Sequence, residues 1–279
     1  MPEALQLSLL AVVAFVAALL AAVTGFGGAA VLLPMLVFVF GVREAVPILT
    51  VAQLIGIGLP VSMRLGLLAM ALATSLGVSL GVWAALRQNH WQDYSVMTVA
   101  MFGITIPTFV TAPVLTLIFG VYGVHILGLE FNLPVGGWNG GAWRNLVLPV
   151  VVLSLPQIAI IARLTRGSMI EVLHSNYIRT AKAKGLSANA VVLRHALRAA
   201  LLPLVSYLGP AVAGILTGSL IVEEIFGVPG IGRYFIQAAL NRDYTLVMGV
   251  VICYAALIVL LNFVADMIYG LLDPRVRLS

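Results

Sequence analysis

Residues 145–222 read NLVLPVVVLSLPQIAIIA (145–162), RLTRGSMIEVLHSNYIRTAKAKGLSANAVVLRHALR (163–198) and AALLPLVSYLGPAVAGILTGSLIV (199–222). A basic, patterned segment thus lies between two stretches that contain no Asp, Glu, Lys or Arg. A bilayer core takes about 20 apolar residues per helix, and in lipid only helices and closed barrels satisfy the backbone. Barrel strands would be about ten residues long with strict alternation. These flanks are instead continuous and rich in Leu, Val and Ala, so each reads as a membrane helix and the segment between them as a loop outside the membrane.

Outward from this loop the same signal repeats. Further stretches without formal charge run 4–42, 45–63, 65–86, 94–129 and 244–265. The chain is 62% apolar and only 9% charged over 279 residues, with a mean hydropathy of +1.11. So few charges cannot solvate the surface of a water-soluble body of this size. The expected fold is all-α, a polytopic membrane protein of about seven transmembrane helices, with a range of about six to eight. The windows from 65 onward are each expected to hold one span. The stretch 4–42 is too long for one, and Gly25, Gly27, Gly28 and Pro34 cut it into a helix and a short or re-entrant one. Residues 120–144, with Pro134, Gly136, Gly137, Gly140 and Gly141, read as an external loop. Met1, Pro2 and Glu3 give no positive n-region, so the first helix is expected to be retained. One cysteine, Cys253, rules out a disulfide framework, and no Cys/His cluster has metal-site spacing.

Lys and Arg accumulate in cytoplasmic loops. Segment 163–198 holds seven of the fifteen basic residues against one acid, Glu171, so it is expected inside. Counting spans puts 87–93, Arg275 and Arg277 on that side and 120–144 and 223–243 outside. The pI near 9.7 therefore reports topology. Nucleic-acid binding would need a solvated basic domain, which is absent from the pattern.

Within the loop, Ile170, Leu173, Tyr177, Ile178 and Ala181 recur at helical spacing opposite Glu171, Ser175, Arg179 and Lys182. An amphipathic helix outside the membrane is expected, ended by Gly185 in a left-handed cap. Ser187 then N-caps a second short helix through Val191, Leu193 and Leu197. Two readings fit this pattern: a basic helix lying on anionic headgroups, or a docking element whose Ala181, Ala183 and Gly185 let a partner approach closely.

YIRTAKAKG (177–185) followed by LSANAVVLRHALRAALLP (186–203) resembles the permease signature loop of ABC importers, in the wording of the dipeptide/oligopeptide/nickel subfamily. Residues 59–89, 218–251 and 271–277 resemble the beginning and end of that family's permease domain. The resemblance implies an ABC importer permease-like core over 57–279. Such a subunit forms half of a pathway with a second homologous permease. Its loop docks on cytoplasmic ATPase subunits, which carry ATP and Mg, and an external substrate-binding protein delivers the cargo. By position, Arg179, Thr180 and Ala181 stand where the loop's E-A-A element lies, without its acid. Gly185 matches the motif glycine, Arg198 replaces the general motif's proline, and Leu202 and Pro203 supply an LP slightly later. The coupling set implied by the resemblance is Tyr177, Arg179, Thr180, Ala181, Lys182, Lys184, Gly185, Leu186, Arg194 and His195.

Residues 12–56, containing TGFGG, resemble instead the opening of the sulfite exporter family. The chain reads as a join near residue 57, with an N-terminal segment 1–56 and a permease domain 57–279. The rival function implied by the first part is a secondary anion exporter, and a non-functional fusion is a further alternative.

No G-x-x-x-x-G-K-[ST] occurs, so the chain is not expected to hold ATP or to act as an enzyme. GVPGIG (227–232) reads as a turn rather than a nucleotide loop. Glu223 and Glu224 before it read as solvated charges at a helix end, or as contacts for a cationic substrate or the binding protein. Asp266 is the one ionisable residue expected inside the membrane. Pro107, Pro149 and Pro156 are expected to break helix hydrogen bonding near the pathway, with Gln157 and Asn262 as candidate lining. No Asp/Glu/His proton relay is present, which weakens a proton-driven mechanism. The expectation is a multi-pass inner-membrane permease for di- or oligopeptides, its C-terminus cytoplasmic.

Overall fold

The computed structural model describes residues 36–37, 41, 56 and 58–272, except 127–128. The TGFGG segment, the proposed join and the LDPRVR terminus lie outside the described residues or at their edge, as do the expectations that rest on them.

The first long helix, α1 (Leu59–Leu86), carries Pro60 in its first turn, where a missing N–H costs nothing. Its glycines set its neighbours. A Cβ on Gly77 would lie 2.8 Å from the Cβ of Ile161, one on Gly81 2.6 Å from the Ala162 carbonyl, and one on Gly66 2.9 Å from a Leu216 methyl. Lipid offers no hydrophobic drive for helix association, so close backbone approach at small residues does the packing. The helix carrying Ile161 and Ala162 is α4 (Trp143–Leu173), and the one carrying Leu216 is α8 (Leu202–Ile225). Between them sits the core, with Leu65, Ala69, Ala73, Val152 and Ile161 fully enclosed.

Between α1 and α4 the chain forms α2 (Trp91–Thr105) and α3 (Thr108–Thr116), the latter continued by a π turn, Leu117–Val121. The window 94–129 was expected to be one span; in the structure it holds two helices that meet at 104°. Ile106 is extended, at φ −87° and ψ 118°, because proline disfavours a helical residue before it and brings no N–H. Pro107 therefore breaks its helix as expected. At Pro149 and Pro156 α4 runs on, and each still withholds an N–H from the helix ladder, so hydrogen bonding is broken there without a break in the helix. Leu148 and Val152 are buried against neighbouring helices and hold α4 in line, whereas α2 packs chiefly on α4 and exposes much of its surface.

The expected loop after α3 contains a short antiparallel pair, β1 (Val124–Ile126) and β2 (Leu129–Phe131), in an otherwise helical chain. It then folds back onto the helix ends. The Gly137 N–H donates to the Phe226 carbonyl at 2.7 Å, and Arg64 reaches the Gly141 carbonyl at 3.3 Å while stacking over Trp138. After α8 come α9 (Ile231–Leu240) and α10 (Tyr244–Leu272). Among the described residues, four helices are long and apolar enough to cross a bilayer, or five if the bent pair is one span. These five coincide with the five charge-free windows from 65 onward; the two earlier windows fall mainly outside the described residues. The chain has the expected class, an all-α polytopic membrane protein.

Candidate functional site: the 174–200 unit and the buried carboxylates

At 31 residues, α4 is about 46 Å long, well beyond the roughly 30 Å of a hydrocarbon core. Its last turns project past the bilayer and carry the 163–200 segment. The amphipathic helix expected across 170–182 is split. Ser175 is extended (φ −68°, ψ 156°), and α5 (Asn176–Ala183) starts anew after it. The break changes which residues face inward. Ile170 and Leu173 stay on α4 and Ile178 and Ala181 are buried, but Tyr177 is 48% exposed.

Gly185 adopts φ +77°, the left-handed region that a side chain resists. The Leu186 N–H donates to the Ala181 carbonyl at 3.4 Å and the Gly185 N–H to the Lys182 carbonyl at 3.0 Å, the paired bonds of a Schellman cap. Ser187 then accepts from the Ala190 N–H at 3.4 Å and starts α6 (Ala188–Ala190). A π turn, Val191–Ala196, and α7 (Leu197–Ala200) complete the return. The second helix forms where expected, but Leu193 points outward at 64% exposure. Val191 is buried, and Ala196 rather than Leu193 joins it on the inner side, with the π turn shifting the helical register.

Met169, Ile178, Ala181, Val191, Ala196 and Ala200 close around Ala85 at the end of α1 as a separate small core. The apolar face of α5 is thus consumed within the protein. A helix lying on headgroups needs that face free for the membrane. Of the residues singled out in the sequence, Tyr177, Arg179, Thr180, Lys182, Lys184, Gly185, Leu186 and Arg194 are all exposed, whereas Ala181 is buried and His195 half-buried. Together with Leu193 the exposed set forms a basic surface studded with apolar side chains, on a rigid base.

Beside this unit Asp93 is fully buried. It accepts from Arg166 Nε at 2.5 Å and Nη2 at 2.6 Å, and from the Asn89 N–H at 3.0 Å. Asn89 holds φ +61°, a conformation Asn tolerates better than most residues. Sequence reasoning missed this pair. The signal was that Asp93 is the one acid in the basic-side turn 87–93.

At the opposite end, Glu223 corrects an expectation. It is fully buried rather than solvated. Its oxygens accept from the Ser219 hydroxyl and the Gly232 N–H, each at 2.7 Å, while the Ser62 hydroxyl accepts the Ile231 N–H at 3.0 Å. GVPGIG is therefore a turn: the Gly227 and Val228 N–H groups donate back to the Glu224 and Glu223 carbonyls at the end of α8, and those of Ile231 and Gly232 start α9. Gly230 and Gly232 have no space for a Cβ, which would collide with the Glu223 carboxylate and the Leu220 backbone respectively. Glu224 lies half-exposed, 3.9 Å from Arg233. Gln157 is engaged by the Tyr207 hydroxyl at 2.7 Å, and the Asn262 side-chain oxygen is buried without a partner. The side chain of Asp266 is outside those described. Among the described residues no group of His, Cys, Asp and Glu is placed to hold a metal.

Residues 77–278 match the family described as binding-protein-dependent transport system inner membrane component. The chain is 52% identical over 228 residues to the oligopeptide transport system permease protein OppB of Haemophilus influenzae, covering 82% of this chain and 72% of that one. It is 54% identical to OppB of Escherichia coli K12 over the same shares. With the dipeptide transport system permease protein DppB of Bacillus subtilis it shares 43% identity, over 88% of this chain and 76% of the relative. In fold it is similar to an inward-facing MetNI methionine ABC transporter chain, with a TM-score of 0.66 at 18% identity, covering 79% of this chain and 97% of that one. With the permease signature in its loop and close matches along most of its length, this chain belongs to the family of inner-membrane components of binding-protein-dependent transport systems.

Proposed function

We propose that the chain is the permease subunit of an ATP-driven importer of di- or oligopeptides. It pairs with a second homologous permease to enclose the pathway, and receives cargo from an external binding protein. The permease domain is 57–279, and the 163–200 segment and the C-terminus face the cytoplasm. The names of its relatives support the peptide assignment, and the seven basic residues of 163–198 support the orientation.

The observation that carries the coupling role is the exposed face of the 174–200 unit. Its inner side is filled by its own core, so it behaves as one body, and its outer side offers Tyr177, Leu186 and Leu193 between basic residues. Such a surface suits an apolar groove with acidic rims on an ATPase subunit. ATP and Mg would be held by that partner. Closure of the ATPase pair then pushes this unit, and α4, continuous with it apart from one turn, carries the displacement into the membrane. The direction of the equilibrium is set by how differently ATP binds the two states.

Replacing Gly185 by Asp tests the assignment. The variant is expected to insert in the membrane but to lose co-purification with the ATPase subunits; undiminished co-purification overturns the docking role.

A further inference from the structure

Tyr254, on α10, is 8% exposed and packs with Ile231 and Val250, yet its hydroxyl makes no hydrogen bond among the described residues. A buried hydroxyl without a partner costs stability, so such an orphan asks for a reason. The polar groups that act on it are the Ser219 hydroxyl and the Glu223 carboxylate of α8. Ser219 has one proton and two acceptors for it, Glu223 Oε1 at 2.7 Å and the Leu216 carbonyl at 2.8 Å. Its oxygen accepts from no donor among the described residues. An unused donor on α10 therefore stands beside an unused acceptor on α8.

The two helices differ in how firmly they are held. At this level α8 is fixed: Glu223 takes the Gly232 N–H at the start of α9, and Leu216 packs against Gly66 of α1. By contrast, α10 packs chiefly on α8 and α9, and Ile252, Val259, Leu260 and Phe263 on its far side are exposed. Only 11% of its apolar window is buried within the chain, against 39% to 50% for the other three long spans, so α10 is the helix that shifts at least cost. A second orphan lies two turns further along it, the Asn262 side-chain oxygen. Two stranded polar atoms on one loosely held span mark a helix with another seat, and shifts of about 1–2 Å between packed helices are the ordinary scale of such transitions.

We propose that Tyr254 and Ser219 form a two-state contact, open in this conformation and closed in the state that ATP binding favours. Closure lets the Tyr254 hydroxyl donate to Ser219, which donates to Glu223, the acceptor of the Gly232 N–H. One chain of hydrogen bonds then ties α10, α8 and the start of α9. This rests on the ATP-driven reading and goes beyond it by making Tyr254 a positioning residue for the movement of α10.

Tyr254→Phe keeps the ring and removes the hydroxyl. In the open state it deletes an orphan; in the closed state it deletes a bond. The test uses the complete transporter, with partner permease, ATPase subunits and binding protein, and compares unfolding midpoints without nucleotide and after trapping with ATP and vanadate. The equilibrium is expected to shift about tenfold towards the nucleotide-free state, the worth of one such bond, so the gap between the two midpoints narrows. An unchanged or wider gap, including an equal loss in both states from a merely structural role, overturns the contact. If the unaltered transporter shows no ATP-dependent uptake of tri-leucine in proteoliposomes, the importer reading fails and the contact with it. If uptake is present and the gap does not narrow, the contact alone is overturned. A second measurement needs no variant. Cys253, the one cysteine of the chain, is half-buried next to Tyr254. Seating α10 on α8 shields it, so maleimide labelling of Cys253, read by mass spectrometry, is expected to slow in the trapped transporter; equal or faster labelling overturns the proposal.

Discussion

Asp93 and Arg166, 73 residues apart in sequence, meet in a two-pronged ion pair that joins the first turn of α2 to α4 shortly before the 174–200 unit. Asp93 is fully buried and Arg166 about a quarter exposed, so the two partners differ in what their loss leaves behind. Removing the arginine strands a buried carboxylate; removing the carboxylate leaves an arginine that reaches water. Arg166→Ala is therefore expected to destabilise by about 3 kcal/mol, the range for breaking a buried pair, and Asp93→Asn by less. The double variant Asp93→Leu/Arg166→Leu is expected to be more stable than Arg166→Ala. Thermal unfolding of the detergent-solubilised protein measures all three, and an Arg166→Ala midpoint equal to the unaltered protein's contradicts the assignment.

Gly185 separates conformational strain from surface effects. A Cβ there meets nothing within 4 Å, so the cost of a small side chain is the positive φ alone. Gly185→Ala is expected to cost about 1 kcal/mol, and Gly185→Asn less, because Asn adopts this region more readily. The order of unfolding midpoints should be Gly, Asn, Ala.

The two glutamates at the end of α8 should behave as opposites. Glu223→Ala deprives the Gly232 N–H of its acceptor, leaves the Ser219 hydroxyl only the Leu216 carbonyl, and opens a void beneath the turn, a loss of about 2 kcal/mol or more. Glu224→Ala removes a long, half-exposed pair and should change stability by less than about 0.5 kcal/mol. Limited proteolysis of the 227–243 segment should accelerate for the first variant only.

Gly81 brings α1 against α4, with the Ala162 carbonyl and the Thr165 side chain inside the space a methyl group would need. Gly81→Ala is expected to cost about 1–3 kcal/mol by overpacking. Gly167, where a Cβ meets nothing, serves as the control, and Gly167→Ala should be neutral or slightly stabilising. Unfolding midpoints of the two variants check this contrast.

The helices from 65 onward were legible because lipid excludes charge: each span is a stretch without Asp, Glu, Lys or Arg, and that property belongs to the residues themselves. The Gly185 cap and the Ser187 N-cap were legible for a related reason, since each is decided by local backbone chemistry within a few residues. Three prolines looked alike in sequence, and only at Pro107 does the helical run end. Packing decides there, because Leu148 and Val152 are clamped between helices while α2 has one principal neighbour. Glu223 looked solvated because its burial depends on Ser62 and Gly232, which only the folded chain brings to it. The charge pattern determined which segment leaves the membrane. Tertiary structure decided which of its residues face out, because the break at Ser175 and the π turn at 191–196 reset the helical register against a core shared with α1.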